Sequence, residues 1–184
     1  MIKAADNPSA MQVSSEKAAW QWIFDHNPSF TLTTILPAVN FGRSVSGDWK
    51  ATALWPKMAM EGDFAFIRYV PSQYFVDVVD TAKLYLGAVL HPELQRERIF
   101  GVSQLYTWNG VRRVLPSKAL GDDISEENMA YPGIERGDFT EPRARSEWLL
   151  KEMGQEDGYT SLKKSLVECF TKAGGEVQGG LGAS

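Results

Sequence analysis

The residues whose types could carry acid–base or thiol chemistry are the neighbours Asp25 and His26, the lone Asp77, and the single cysteine, Cys169. Adjacent residues on a helix do not face each other, so Asp25-His26 reads as a solvated helix end rather than a dyad. Asp77 stands just before the apolar run "VVDTAKLYLGAVL", where a carboxylate caps a helix by accepting orphan backbone N–H groups. Cys169 lies on an amphipathic stretch with no activating neighbour and reads as a small buried residue. One cysteine makes no intramolecular disulfide, which suits a reducing compartment. The two histidines, His26 and His91, are far apart and have no cysteine or histidine at ligand spacing, so no metal is expected. Gly-x-Ser-x-Gly, Gly-x-Gly-x-x-Gly and Walker-type loops are absent, which leaves neither an elbow serine nor a phosphate cradle in view.

The elements that must position these residues alternate between helix and strand, which predicts an α/β fold. Asn7-Pro8 pairs a capping residue with a proline where no backbone donor is needed; the helix it opens runs to about His26 and stops at Asn27-Pro28. "FTLTTIL" (30–36) predicts a strand ending at Pro37, with "NFGR" turning the chain. "DWKATALWPKMAMEG" predicts a helix broken or bent at Pro56. Residues 64–70 and 74–78 predict short apolar strands, and 98–103 another. Thr107 caps a short helix. A helix opens at Pro142 and closes at Gly154, and another runs from Thr160 to Gly174. Trp20, Ile23 and Phe24 read as core. Residues 117–140 form a long acidic connection of the kind that borders a pocket.

The bulk numbers exclude several function classes. A chain of 184 residues with 43% hydrophobic and 23% charged residues fits one globular domain, taken as 1–173 with a flexible Gly-rich tail at 174–184. A net charge of −4 gives no attraction to nucleic-acid phosphates. No signal peptide or membrane-spanning apolar run is visible, so no membrane partner is expected and the location expected is cytoplasmic.

Five segments in order resemble the C-terminal half of an extended short-chain dehydrogenase/reductase. They are "EKAAW" (16–20), "TLTTILPAVNFGR", "QYFVDVVDTAKLYLGAVLHPE", "ERIFGVSQLYTWNGV" and "YTSLKKSL". The nearest branch is the NAD(P)-dependent aldehyde and ketone reductases related to dihydroflavonol and cinnamoyl-CoA reductases, in their fungal form. The resemblance implies a partial Rossmann-like portion with its small substrate-binding subdomain. It also implies a Tyr-x-x-x-Lys pair, in which tyrosine protonates the substrate oxygen while the lysine ammonium lowers the tyrosine pKa. Counting back from Glu16, those positions are Pro8 and Gln12, which do neither, and the family's strand-end asparagine is Leu36. The family's Gly-rich, pyrophosphate-binding half has no counterpart in this sequence.

The resemblance places Pro37 beside the nicotinamide and Thr52 within reach of the cofactor; the plainer reading is that Pro37 ends a strand and Thr52 sits in a helix. It places Ala38, Val39, Asn40 and Phe41 in the substrate pocket. Trp55, Met58, Phe66 and Tyr74 fall in the same region, as an aromatic and Met-rich wall suited to an apolar organic ligand or as ordinary core.

The expectation is therefore a truncated homologue of a ketone or aldehyde reductase of secondary metabolism. It would bind an apolar small molecule but be redox-inactive alone, with no cofactor expected for the isolated chain and NAD(P)H used in the family. The alternatives are a cofactor-independent isomerase, cyclase, dehydratase or lyase, a non-catalytic binding module, or one chain of a split reductase. An orphaned sheet edge predicts a homodimer or a partner chain that covers it.

Overall fold

A computed structural model describes residues 8–45, 47–63, 65, 67–115 and 138–170. The tail at 174–184, most of the 117–140 connection, Phe64 and Phe66 lie outside the described residues. Helix α1 (Pro8–His26) ends where Asn27 turns left-handed (φ 40°) and donates to the Ile23 carbonyl, ahead of Pro28. Strand β1 (Thr34–Pro37) is shorter than the predicted 30–36. Residues 31–33 have no strand partner, and the Thr33 hydroxyl instead donates to the Leu94 carbonyl at 2.9 Å.

Of the turn predicted at "NFGR", Asn40 and Phe41 are strand. Ala38 alone separates β1 from β2 (Val39–Phe41), and Gly42 (φ 121°) makes the turn beyond it. A 3₁₀ turn (Ala51–Ala53) leads into α2 (Leu54–Glu61). Pro56 neither breaks nor bends this helix, because it occupies the first turn, where the N–H it lacks has no intrahelical partner. The strand expected at 64–70 is also corrected: Ile67–Tyr69 form a 3₁₀ turn.

Strand β3 (Gln73–Asp77) runs directly into α3 (Val78–Leu90), and β4 (Arg98–Gly101) is followed by β5 (Gln104–Tyr106). The single strand expected at 98–103 is therefore two pieces. The chain leaves one sheet at Val102 and joins the other, where Ser103 N–H donates to the Phe75 carbonyl at 2.8 Å. Helix α4 (Trp108–Val114) is capped by Thr107 as predicted. Helix α5 (Thr140–Glu152) has Pro142 in its first turn, and Gly154 (φ 78°) closes it. In α6 (Leu162–Cys169) the cap is Ser161, not Thr160: its hydroxyl accepts from Lys164 N–H, while Thr160 is used elsewhere.

The strands form two small sheets. In one, β1 and β4 pair in parallel; in the other, β2 pairs in parallel with β3, and β3 antiparallel with β5. Both strands of the first sheet pass the chain to the second within two residues, through Ala38 and through Val102–Ser103. Each sheet has its own core. Phe41, Phe75, Tyr106, Trp108, Leu166 and Phe170 pack an aromatic core between the three-stranded sheet and α2, α4 and α6. Leu84, Leu94, Ile99, Leu149 and Leu150 pack an aliphatic core between the two-stranded sheet, α3 and α5. Helix α1 lies on that sheet's other face. Of its expected core residues Ile23 is buried, Trp20 is half-buried and Phe24 is 83% exposed. No described helix is long and apolar enough to cross a membrane.

Candidate functional site

In open α/β sheets, ligands bind outside the carboxyl ends of the strands, where the order of strands breaks. Here the break falls at Ala38, whose N–H donates to the Gly101 carbonyl at 2.9 Å. A side chain at Gly101 would come within 3.2 Å of the Pro37 Cα, so glycine permits the close approach of β1 and β4. Asn40 ties the surrounding elements together. Its Oδ1 accepts from Thr81 of α3 (2.7 Å), its Nδ2 donates to the Ala38 carbonyl (3.2 Å), and its own carbonyl accepts from the Thr52 hydroxyl (3.0 Å).

The residues predicted to line a pocket divide between the two faces of the three-stranded sheet. Side chains alternate along a strand, so Val39 and Phe41, in register with Phe75 and Asp77, share one face. Phe41 is buried there, with Phe75 at 5.9 Å and Tyr106 at 5.1 Å between ring centres. Trp55 sets its ring edge-on to the buried Trp108 at 6.1 Å, and Met58 packs on the same core. Asn40 and Tyr74 belong to the other face. Tyr74 meets Phe139 at 5.1 Å, and Phe139 in turn meets Phe100 at 5.7 Å, which gives a half-buried aromatic trio. Phe100 is the register partner of Leu36, so the trio adjoins the carboxyl end of β1. Phe66 lies outside the described residues.

Pro8 is the first residue of α1, and Gln12 is exposed one turn later. Glu16, another turn on, fastens the helix. Arg98 donates to both its carboxylate oxygens at 2.9 Å, the Thr34 hydroxyl donates at 2.9 Å and the Trp20 indole at 3.4 Å. The Arg98 hydrogen bonds are the largest cause of a carboxyl pKa lowered from 4.5 to about 2. A groove of about 600 Å³ opens between α1 and the sheet, with Val13, Trp20, Phe24 and Leu36 on its walls. Asp25 and His26 do not pair. The Gln21 amide donates to Asp25 (2.7 Å), and the His26 ring stacks on Trp22 (4.5 Å).

Asp77 caps α3 as expected, its Oδ1 accepting from Val79 N–H at 2.7 Å, and burial raises its pKa. The neighbouring acid Asp80 is fully buried and fully bonded. Its oxygens accept from the Gln155 amide, the Thr160 hydroxyl and Thr160 N–H, each at 2.8 Å. Cys169 is buried, accepts from Gly42 N–H at 3.1 Å, and has its thiol pushed up to about 12 by burial, which makes it unreactive. Among the described residues, no group of three or more His, Cys, Asp or Glu could hold a metal ion.

Sequence reasoning missed Glu16, Asn40's tying role, Asp80 and the pair Phe100–Phe139. A signal existed for Asp80, an acid on the same helical stripe as Thr81, Leu84 and Gly87, all buried. Of the residues expected nearest a nicotinamide, Pro37 is exposed and the Thr52 hydroxyl donates to the Asn40 carbonyl.

No family model matches the chain. It is 32% identical over 164 residues to ketoreductase adrE of Penicillium roqueforti, covering 85% of this chain and 47% of that protein. It is 26% identical over 167 residues to aldehyde reductase 2 of Sporidiobolus salmonicolor, covering 87% and 46%. It is 27% identical over 172 residues to the NAD-dependent epimerase/dehydratase terH of Aspergillus terreus, covering 87% and 47%. Among solved structures, Gre2 from Candida albicans shares the fold with a TM-score of 0.59 at 22% identity, over 90% of this chain and 52% of that one. The chain thus spans about half the length of the curated relatives it matches.

Proposed function

We propose that this relative of the fungal ketoreductases and aldehyde reductases, with a partial short-chain reductase fold, binds an apolar organic ligand where β1 and β2 part and, as an isolated chain, transfers no hydride. The observation that carries the reading is the half-buried aromatic trio of Tyr74, Phe100 and Phe139 beside the carboxyl end of β1. Such a wall holds a ligand through apolar area, at about 25 cal/mol per Å², and Asn40 keeps the strands and helices around it in fixed relation. The absence of hydride transfer rests on the family resemblance together with Pro8 and Gln12, which supply neither a phenol nor an ammonium.

Two titrations test the proposal. NADPH fluorescence should show no micromolar binding and no consumption with a panel of aldehydes and ketones; binding in that range, or consumption, would sink the redox half. Calorimetry with aromatic, polyketide-like ligands should detect binding that Phe100→Ala weakens about tenfold, or 1.4 kcal/mol. Binding that ignores Phe100→Ala and Tyr74→Ala would move the ligand elsewhere. Trp55→Ala separates wall from core, because Trp55 packs on Trp108 and its loss should lower stability before it lowers affinity.

A further inference from the structure

We propose that Asp77 of the folded chain holds a proton on Oδ2 and offers it to the Ser165 hydroxyl, a latch that fastens α6 to the start of α3 and yields as that proton leaves. Asp77 ends β3 and caps α3, while Ser165 lies on α6, which packs against β2 and β3. Both residues are buried. Asp77 Oδ1 accepts from Val79 N–H at 2.7 Å, but Oδ2 has no partner besides the Ser165 hydroxyl next to it, which has no other partner either. A side chain at Gly42 would come within 2.6 Å of Oδ2, so the Gly42 backbone closes over that oxygen. The Gly42 N–H is not spare, since it donates to the Cys169 sulfur at 3.1 Å.

Asp77 and Asp80 stand one turn apart at the head of α3, both buried, and each opposes the charge of the other. The supply of donors decides which of them takes the proton. Asp80 accepts three hydrogen bonds, from the Gln155 amide, the Thr160 hydroxyl and Thr160 N–H, whereas Asp77 accepts one from a backbone N–H. A carboxylate with a bare oxygen in a dry site is costly; a carboxyl group that donates from that oxygen is not. The N-terminus of α3 favours the anion. Burial outweighs it, with the charges of Asp80 and Glu168 adding to burial, and holds the Asp77 carboxyl above its ordinary 3.8.

The other charged groups near the pair are Lys83 on α3, Lys164 on α6, Glu156 and Asp157 ahead of α6, and the exposed Arg43 after Gly42. Neither lysine pairs with Asp77: Lys83 donates to Gln155 at 2.8 Å, and Lys164 lies 4.0 Å from Glu168. Cys169 keeps its own proton in this range, its thiol being pushed up to about 12. An ionised Asp77 therefore repels Glu168 on α6 with only Ser165 to offset the buried charge. The stabilisation is present below 3.8 and is lost as pH rises through the raised value, the opposite sense to Glu16. None of these groups belongs to the aromatic trio, so the inference stands apart from the ligand reading.

The test is a titration of the full chain by carboxyl carbon NMR, with amide protection factors in α6 followed in parallel. Asp77 should ionise above 3.8, and protection in α6 should fall about tenfold as it does. Asp77→Asn keeps a carbonyl for Val79 N–H and offers Ser165 an amide donor at every pH, so its α6 protection should stay level through the same range. Ser165→Ala should lower α6 protection about tenfold at the acid end, while Asp77 still caps α3. An Asp77 that ionises at or below 3.8 overturns the proposal. So does α6 protection that stays flat in the wild-type chain, falls equally in Asp77→Asn, or ignores Ser165→Ala.

Discussion

The two sheets share one chain and pack to opposite degrees of completion. Around the three-stranded sheet, α2, α4 and α6 enclose an aromatic core, and the buried Trp108 indole donates to the Val70 carbonyl at 2.9 Å. The two-stranded sheet has helices on both faces, yet α1 and α3 turn apolar side chains such as Phe24 and Val89 outward, and among the described residues no strand pairs with β1's outer edge. The difference teaches that parallel pairing needs company. An isolated two-stranded parallel sheet is a fragment of a larger layer, whereas a mixed sheet capped by three helices can finish its own core. Asp80 joins the two halves, since it stands on α3 and grips Thr160, the residue just before the Ser161 cap of α6.

Removing the largest buried side chain from the finished half should have the largest effect. Trp108→Ala is expected to lose about 3–5 kcal/mol in urea unfolding, through lost contacts and a cavity that its ring-packed neighbours do not fill. Leu84→Ala, in the unfinished half, is expected to lose about 2–3 kcal/mol, because helices covered on one side relax into the space. A Leu84 loss exceeding that of Trp108 would break the comparison. Asp80→Asn comes next, at about 1–3 kcal/mol, since the amide accepts fewer of the hydrogen bonds offered by Gln155 and Thr160. If the two halves then melt separately in calorimetry, Asp80 is their coupling.

The smallest effect concerns α1. The Glu16 carboxyl is held below its ordinary value of 4.5, at about 2, so its stabilisation is present above about 4.5 and is lost as pH falls towards 2. Amide exchange in α1 should accelerate across that window while Trp108 stays protected, and Glu16→Gln should remove the pH dependence. Parallel loss of protection in both halves would show that α1 is not fastened locally.

Local chemistry was legible where one residue decides the outcome. Asp77 and Thr107 cap helices, Pro28 follows a helix end, and Gly154 closes one, because each acts within a turn of its own position. What escaped depended on partners distant in sequence. Asn40 and Phe41 look like part of a turn until β3 supplies their ladder, and residues 98–103 look like one strand until Ser103 finds Phe75. Phe24 has the hydrophobicity of core, but hydrophobicity alone does not say whether anything covers it. Glu16 gave no sign, since its three hydrogen-bond donors beyond α1's own Trp20 come from Arg98 and Thr34, fixed only once the sheet forms.

The thiol of Cys169 gives the finished half a reporter of its own. It is the chain's only sulfhydryl, enclosed between α6 and the Gly42 turn, and almost wholly un-ionised at neutral pH. An alkylating or aromatic disulfide reagent can reach it only when α6 swings off the aromatic core. Labelling rate then becomes a clock for the opening of that half, whatever α1 does.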